Sequence, residues 1–145
     1  MATIMRHAAV DLGELLSGNG GRTRPRDLQR AIREGLPYAA LEALAGALAL
    51  TPLDVTAVLG AAPRTLARRK SQQRLSPIES DRLYRLARIW QMTADTLGTE
   101  EKARAWLVRG NRALGGATPL SMLDTEIGAR QVEDVLNHIN HGMYA

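Results

Sequence analysis

Apolar residues recur at the spacing of an amphipathic helix in three long stretches of the chain. The stretches are 37–49, 77–97 and one that starts at Thr125 and runs towards the end. A stripe at i, i+3, i+4 and i+7 lies on one side of a helix, so we expect three core-facing helices. The stripes are Leu41, Leu44, Ala45 and Leu48; Leu83, Leu86, Ala87 and Trp90; and Val132, Val135, Leu136, Ile139 and Met143.

Capping residues indicate where shorter helices begin and end. TPLD (51–54) supplies a hydroxyl cap, a proline at the first helical position and an acid at the third, while Gly60 is typical of a helix end. Pro63 then opens a second short helix over RTLARRK (64–70). SPIE (76–79) repeats the starting signature and begins the long helix.

The later connection is irregular. Thr99 with two following acids starts a helix that runs to about Gly110. The pair Gly115-Gly116 and Pro119 then interrupt the chain, with one turn expected at 119–123.

The beginning of the chain has weaker signals. A short helix is expected over 7–17, with Val10, Leu12, Leu15 and Leu16 as its apolar positions. Residues 18–25 have the glycine-rich, arginine-containing composition of a flexible linker. A polar helix over 26–33 follows and is broken at Gly35.

Composition favours an all-α fold. The 145 residues include 22 Ala and 21 Leu but six Val, six Ile, no Phe and 3% aromatic residues, and β-strands draw on the scarce types. The absence of cysteine excludes a disulfide framework, a thiolate nucleophile and a Cys-ligated zinc site. With no apolar run long enough to span a membrane and no secretory signal, a soluble cytoplasmic protein is expected.

Charge is distributed unevenly. Segment 64–88 has eight basic residues against Glu79 and Asp81, a net charge of +6, whereas segment 118–145 has a net charge of −3. A concentrated basic patch raises affinity for a polyanion such as DNA through counterion release. The alternative is a solvated helical surface with no ligand.

Two short helices around Gly60 have the layout of a helix-turn-helix, with Val55, Leu59, Ala61 and Leu66 as its expected small core. In that motif the start of the second helix enters the major groove of DNA. We therefore expect bases to be contacted by Arg64, Thr65 and Arg68, and the DNA backbone by Arg69, Lys70 and Arg74. Thr56 and Arg69 depart from the small and apolar residues common at their positions, so an ordinary basic helical hairpin is the alternative.

Signatures of enzymes and cofactor sites are absent from the sequence, so neither catalysis nor a cofactor is expected. His138 and His141 have a spacing that two metal ligands can use, but no third ligand is evident, and no metal site is predicted. Trp90 and Trp106 lie on helical stripes and are interpreted as core residues rather than base-stacking platforms.

Four motifs in order, RTLARRK (64–70), SPIESDRLYRLARI (76–89), NRALGGATPLSML (111–123) and the HGMYA ending, resemble the Xre/MbcA/ParS antitoxins over roughly residues 36–145. The resemblance implies a Cro-like helix-turn-helix followed by a small helical toxin-binding domain. It divides the chain into a flexible or weakly helical segment 1–35, a helix-turn-helix and dimerisation domain 36–97, and a toxin-binding domain with its tail, 98–145.

The same resemblance implies the function. The partner is a RES-type toxin that consumes NAD, whose active site the antitoxin covers, and the complex represses its own promoter by binding operator DNA. A homodimer within the larger complex is expected, because one small helix-turn-helix buries little surface on DNA. The residues expected to face the toxin are Asn111, Leu114, Glu133, Asp134, Asn137, His138, His141, Met143, Tyr144 and Ala145. The alternative is a helix-turn-helix regulator without a toxin partner.

Overall fold

The structure is a computed structural model that describes residues 24–142. Over these residues the chain forms seven α-helices and two 3-10 turns, which confirms the predicted all-α class. The turns are Arg112–Leu114 and Leu120–Met122. The helices are α1 (Pro25–Glu34), α2 (Tyr38–Leu48), α3 (Pro52–Leu59), α4 (Pro63–Gln72), α5 (Pro77–Leu97), α6 (Glu100–Leu107) and α7 (Glu126–Asn140).

Helix boundaries follow the predicted caps closely, with two differences. The long helix occupies 77–97 as expected, but α4 continues two residues beyond the predicted 64–70. Helix α6 stops at Leu107, before the predicted Gly110, because Val108 and Gly110 are weak helix formers. The predicted helix 7–17 and most of the predicted linker lie outside the described residues.

The described chain divides into two compact units, 24–84 and 85–142, with the division falling within α5. In the first unit, Leu36, Leu44 and Leu59 are almost completely buried. The connection between α1 and α2 is held by the backbone N–H of Leu36, which donates to Ser80 Oγ at 2.7 Å. Leu75 N–H donates to the carbonyl of Leu36 at 2.9 Å, so this short loop is fixed from both sides.

The expected small core of the helix-turn-helix is partly confirmed. Leu59, Ala61 and Leu66 are buried, but Val55 is only half-buried. Val58, which the spacing argument omitted, is 3% exposed and takes the inward position on α3. The buried residues of α3 therefore lie in its last turn rather than in its middle.

The second unit has its own apolar core. Trp90, Leu107, Leu123, Val132 and Leu136 are all nearly inaccessible to solvent. The prediction that Trp90 is a core residue is confirmed, whereas Trp106 is only half-buried. The i, i+4 pair of Ala103 and Leu107 occupies the inward face of α6 and leaves Trp106 at its edge.

Gly128, in the first turn of α7, is packed directly against the carbonyl oxygen of Met122, with which an added Cβ would collide. We expect Gly128→Ala to lower the free energy of unfolding by about 1–3 kcal/mol, the usual cost of overpacking. Gly46, exposed in α2 with open space around its Cα, is the matched control, and Gly46→Ala should gain roughly 0.5–1 kcal/mol. Urea denaturation measures both; a stability for Gly128→Ala equal to that of the wild type would contradict the packing argument.

Candidate nucleic-acid interface and C-terminal surface

The turn between α3 and α4 brings two short helices together around Gly60. Helix α3 begins with a reciprocal cap, in which Thr51 and Asp54 bond each other's backbone N–H at 3.0 and 3.1 Å. It ends at Gly60, whose φ of +62° is unfavourable for residues with a Cβ. Arg82 donates to the carbonyl of Leu59 at 2.7 Å and occupies the space beside Gly60, so the turn is closed from α5.

Helix α4 presents an exposed basic face. Arg64 and Arg68 are four residues apart, lie on the same side of the helix and are exposed. Lys70 is exposed as well, and within residues 24–142 none of these three side chains has an ion-pair partner. Thr65 is half-buried. Arg64 and Arg68, two of the three residues expected to contact bases, therefore lie on one accessible surface.

The other five basic residues of segment 64–88 are engaged within the protein. Arg69 pairs with a carboxylate of α5, and Arg74 bonds backbone carbonyls at the end of α1. The eight basic residues of segment 64–88 therefore do not form the continuous free surface that the charge count suggested. The partners are Glu79 for Arg69 (2.8 Å), the Glu34 carbonyl for Arg74 (3.1 Å), the Leu59 carbonyl for Arg82 (2.7 Å), the Leu123 carbonyl for Arg85 (3.2 Å) and Glu126 and Glu133 for Arg88 (3.2 and 2.8 Å).

Glu79 is a buried acid at the start of α5. One of its oxygens accepts both the Nε–H of Arg69 at 2.8 Å and the backbone N–H of Ser76 at 2.9 Å. Burial on its own raises the pKa of this carboxyl, but the hydrogen bonds from Arg69 and Ser76 and the charge of Arg69 outweigh it and lower the pKa below its ordinary value. Glu79 is therefore an ionised group at neutral pH.

In the second unit, α7 has two distinct faces. Its buried side consists of Gly128, Ala129, Val132, Val135 and Leu136. On the opposite side, Ile127, Gln131, Asp134 and His138 are exposed at i, i+4, i+7 and i+11. This exposed stripe, called the outer face of α7 below, includes two residues predicted to contact a toxin. Ile127, with 73% of its surface exposed, was missed because it lies outside the apolar stripe that the periodicity detects.

The remaining residues predicted to contact a toxin have varied surroundings. Leu114 is only 8% exposed and belongs to the core of its unit, while the Asn111 side chain accepts the backbone N–H of Ala113 at 2.9 Å and caps a 3-10 turn. Glu133 forms an ion pair with Arg88. Asn137 is exposed, and its carbonyl lies 2.6 Å from Nδ1 of His141. Met143, Tyr144 and Ala145 lie outside the described residues.

Glu126, at the first position of α7, faces two arginines of α5. Burial on its own raises the pKa of this carboxyl, but the charges and hydrogen bonds of Arg88 and Arg85 together outweigh it and lower the pKa below its ordinary value. The arginine pair thereby ties the start of α7 to α5 through Glu126.

Residues 24–142 contain no group of three His, Asp or Glu side chains arranged to hold a metal ion. Among the described helices, none has the length and apolarity to cross a membrane.

Short helices that meet at Gly60, with exposed arginines at the start of the second, define a helix-turn-helix protein. Comparison with known families agrees: residues 27–88 match the antitoxin Xre-like helix-turn-helix domain, and residues 92–142 match the antitoxin Xre/MbcA/ParS C-terminal toxin-binding domain.

Curated relatives extend the match over most of the chain. Antitoxin Xre of Photorhabdus laumondii is 33% identical over 118 residues, covering 80% of this chain and 80% of that protein. Antitoxin Xre of Pseudomonas putida is 35% identical over 136 residues, covering 93% and 80% respectively. The chain belongs to the Xre antitoxin family, which confirms the resemblance seen in its sequence motifs.

The lowered pKa of Glu79 predicts a pH dependence of stability. A carboxyl with a lower pKa in the folded protein stabilises the fold above the pKa of the unfolded chain, and this stability is lost as the pH falls through the folded pKa. We expect Glu79→Gln to be less stable than the wild type at about pH 7 and to lose less stability between about pH 5 and about pH 3. Urea denaturation across that range measures this, with the exposed acid in Asp81→Asn as control. Parallel curves for the wild type and Glu79→Gln would rule out the coupling.

Proposed function

We propose that this chain is a DNA-binding antitoxin that represses its own operon and neutralises a RES-type, NAD-consuming toxin by covering the toxin's active site. The observation that carries the DNA-binding half is the exposed basic face of α4, where Arg64 and Arg68 remain unpaired within the described residues. Membership of the Xre antitoxin family supports the toxin-binding half.

The DNA contacts are proposed from side-chain chemistry. An arginine guanidinium can donate two hydrogen bonds to O6 and N7 of guanine, and Arg64 and Arg68 are spaced to reach neighbouring base edges from one helix face. Lys70 follows on the same helix and would neutralise a phosphate. Two copies of the unit, acting as a homodimer on two half-sites, would supply the buried area that one copy lacks.

The toxin contacts are proposed for the outer face of α7 and the tail that follows it. A pocket for NAD needs basic residues for the pyrophosphate, so an acidic helix is complementary to its rim. Asp134 suits this role better than Glu133, because Glu133 already pairs with Arg88. At the end of α7, Gly142 has a φ of +66° and turns the chain out of the helix. The side chain of Tyr144 would then occupy space that the dinucleotide needs.

Removing an arginine from the basic face should weaken operator binding. We expect Arg64→Ala and Arg68→Ala each to lose about 1–3 kcal/mol on promoter DNA if they make bidentate base contacts, with a much smaller loss on a scrambled duplex. Fluorescence anisotropy measures both affinities. Arg130→Ala removes the same charge from an exposed site on α7 and is the matched control. Equal losses on the two DNAs would assign both arginines to phosphate instead.

Removing the tail should separate neutralisation from folding. We expect a chain that ends at His141 to unfold and bind DNA as the wild type does, but to protect cells poorly against the toxin. The measurement is cellular NAD after induction of the gene adjacent to the one encoding this chain, with the full-length or the shortened protein. Full protection by the shortened chain would show that the helices, and not the tail, inhibit the toxin. An unchanged NAD level with the neighbour alone would exclude an NAD-consuming partner and favour a regulator without a toxin.

The outer face of α7 is tested in the same cells with a pair of matched charge variants. Asp134→Asn removes an exposed acid from the outer face, and Asp124→Asn removes an exposed acid that precedes the helix. Protection that falls for Asp134→Asn alone supports the proposed surface. An equal fall for both variants would show that net charge, and not the position of Asp134, determines protection.

A further inference from the structure

Helix α4 has little apolar attachment to the rest of the protein. Of its ten residues only Leu66 is buried, and the burial of one leucine contributes about 1.5–3 kcal/mol. A helix of this length is marginal in water by itself. Its N-cap residue, Ala62, provides no side-chain hydrogen bond. Something besides apolar burial must therefore fix the direction in which its basic face points.

Bonds of Gln73 and Arg74, which directly follow the helix, hold its end, and Arg69 provides a contact from within the helix itself. It follows Leu66 by three residues and so lies on the inward side of α4, away from the line of Arg64 and Arg68. Its Nε–H donates to Glu79 at 2.8 Å, with 19% of the arginine side chain and 8% of the glutamate side chain exposed. An ion pair shielded from water to this degree is screened less by salt than a surface pair.

Glu79 is itself held firmly. It accepts the backbone N–H of Ser76 at 2.9 Å, and its own N–H donates to Ser76 Oγ at 3.2 Å, which completes a capping box at the start of α5. The acceptor that Arg69 meets therefore has a fixed position. The pair joins the second turn of α4 to the first turn of α5.

From this geometry we infer that Glu79 is a positioning residue for the DNA-reading helix, and that Arg69 is held by Glu79 rather than by a DNA phosphate. The inference rests on the proposed DNA binding. It replaces the sequence-based expectation that Arg69 contacts the DNA backbone. It also predicts that losing the pair harms discrimination between DNA sequences more than it harms general attraction to DNA.

Salt dependence separates a phosphate ligand from a positioning residue. Each phosphate contact contributes about 0.9 to the slope of log affinity against log salt concentration on duplex DNA. We expect Arg69→Gln to leave this slope unchanged and to lower the ratio of promoter to scrambled-duplex affinity by about tenfold, the size of one mismatched base pair. Its neighbour provides the control: Lys70→Gln should reduce the slope by about 0.9 and leave the ratio nearly unchanged.

Glu79→Gln tests the other partner. Glutamine at this position can still accept the Ser76 N–H, so the cap of α5 is retained while the charge pair is lost. We expect the same fall in the affinity ratio as for Arg69→Gln, and no further fall in the double variant. All titrations are made well below the unfolding temperature of each variant. A reduced salt slope with an unchanged ratio for Arg69→Gln, or an unchanged ratio for Glu79→Gln, would overturn the inference.

A measurement without DNA separates this inference from the proposed function. The Nε–H proton of Arg69 should give a resolved, slowly exchanging NMR signal in the wild type. It should exchange faster in Glu79→Gln, where a neutral amide oxygen replaces the carboxylate. That signal should also persist when promoter DNA is added. Failure of the wild type to distinguish promoter from scrambled DNA would reject the DNA-binding proposal alone. Rapid exchange of the Arg69 proton in the free wild type, or its displacement by DNA, would reject the positioning role.

Discussion

The carboxylate of Glu79 connects α4 and α5 of the first unit. Taking an ionised carboxylate out of water costs several kcal/mol unless hydrogen bonds and a counter-charge compensate for it. Arg69 and Ser76 provide that compensation from two different elements. Because both contacts use one oxygen atom, the start of α5 and the second turn of α4 cannot move independently. This ion pair therefore helps to set the direction in which the exposed face of α4 points.

In the second unit, arginine side chains of α5 likewise bond acids and a backbone carbonyl, and there they hold α7. Arg85 is 7% exposed and donates to the carbonyl of Leu123, while Arg88 contacts Glu126 and Glu133. These contacts anchor α7 to α5 across the loop that precedes α7. Glu126 and Glu133, which these contacts engage, are two of the four acids in segment 118–145. Asp134 is the exposed acid on the outer face of α7.

Features determined by neighbouring residues could be predicted from the sequence, and those determined by distant partners could not. The caps at Thr51, Ser76 and Thr125 act within three residues, so the helix starts were predicted correctly. Burial of Trp90 followed from the helical spacing of its neighbours. The partners of Arg74 and Arg85 lie 40 and 38 residues away, and no local pattern distinguishes them from exposed arginines. A count of charges therefore overestimated the free basic surface, although the order of motifs identified the family.

The helices that carry the two proposed partner surfaces differ in how much apolar packing supports them. Helix α7 is held by a buried face of five residues, and apolar burial is insensitive to ionic strength at moderate salt. Helix α4 buries only Leu66 and relies on an ion pair whose carboxylate can be protonated. The pKa of Glu79 lies below its ordinary range, so the pair persists throughout the neutral range and weakens only in acid. At neutral pH this ion pair helps to orient the basic face of α4, whereas α7 adds a buried face of five residues to its own ion pairs with Arg85 and Arg88. Acid therefore weakens ion pairs on both helices, but it leaves the apolar packing of α7 in place.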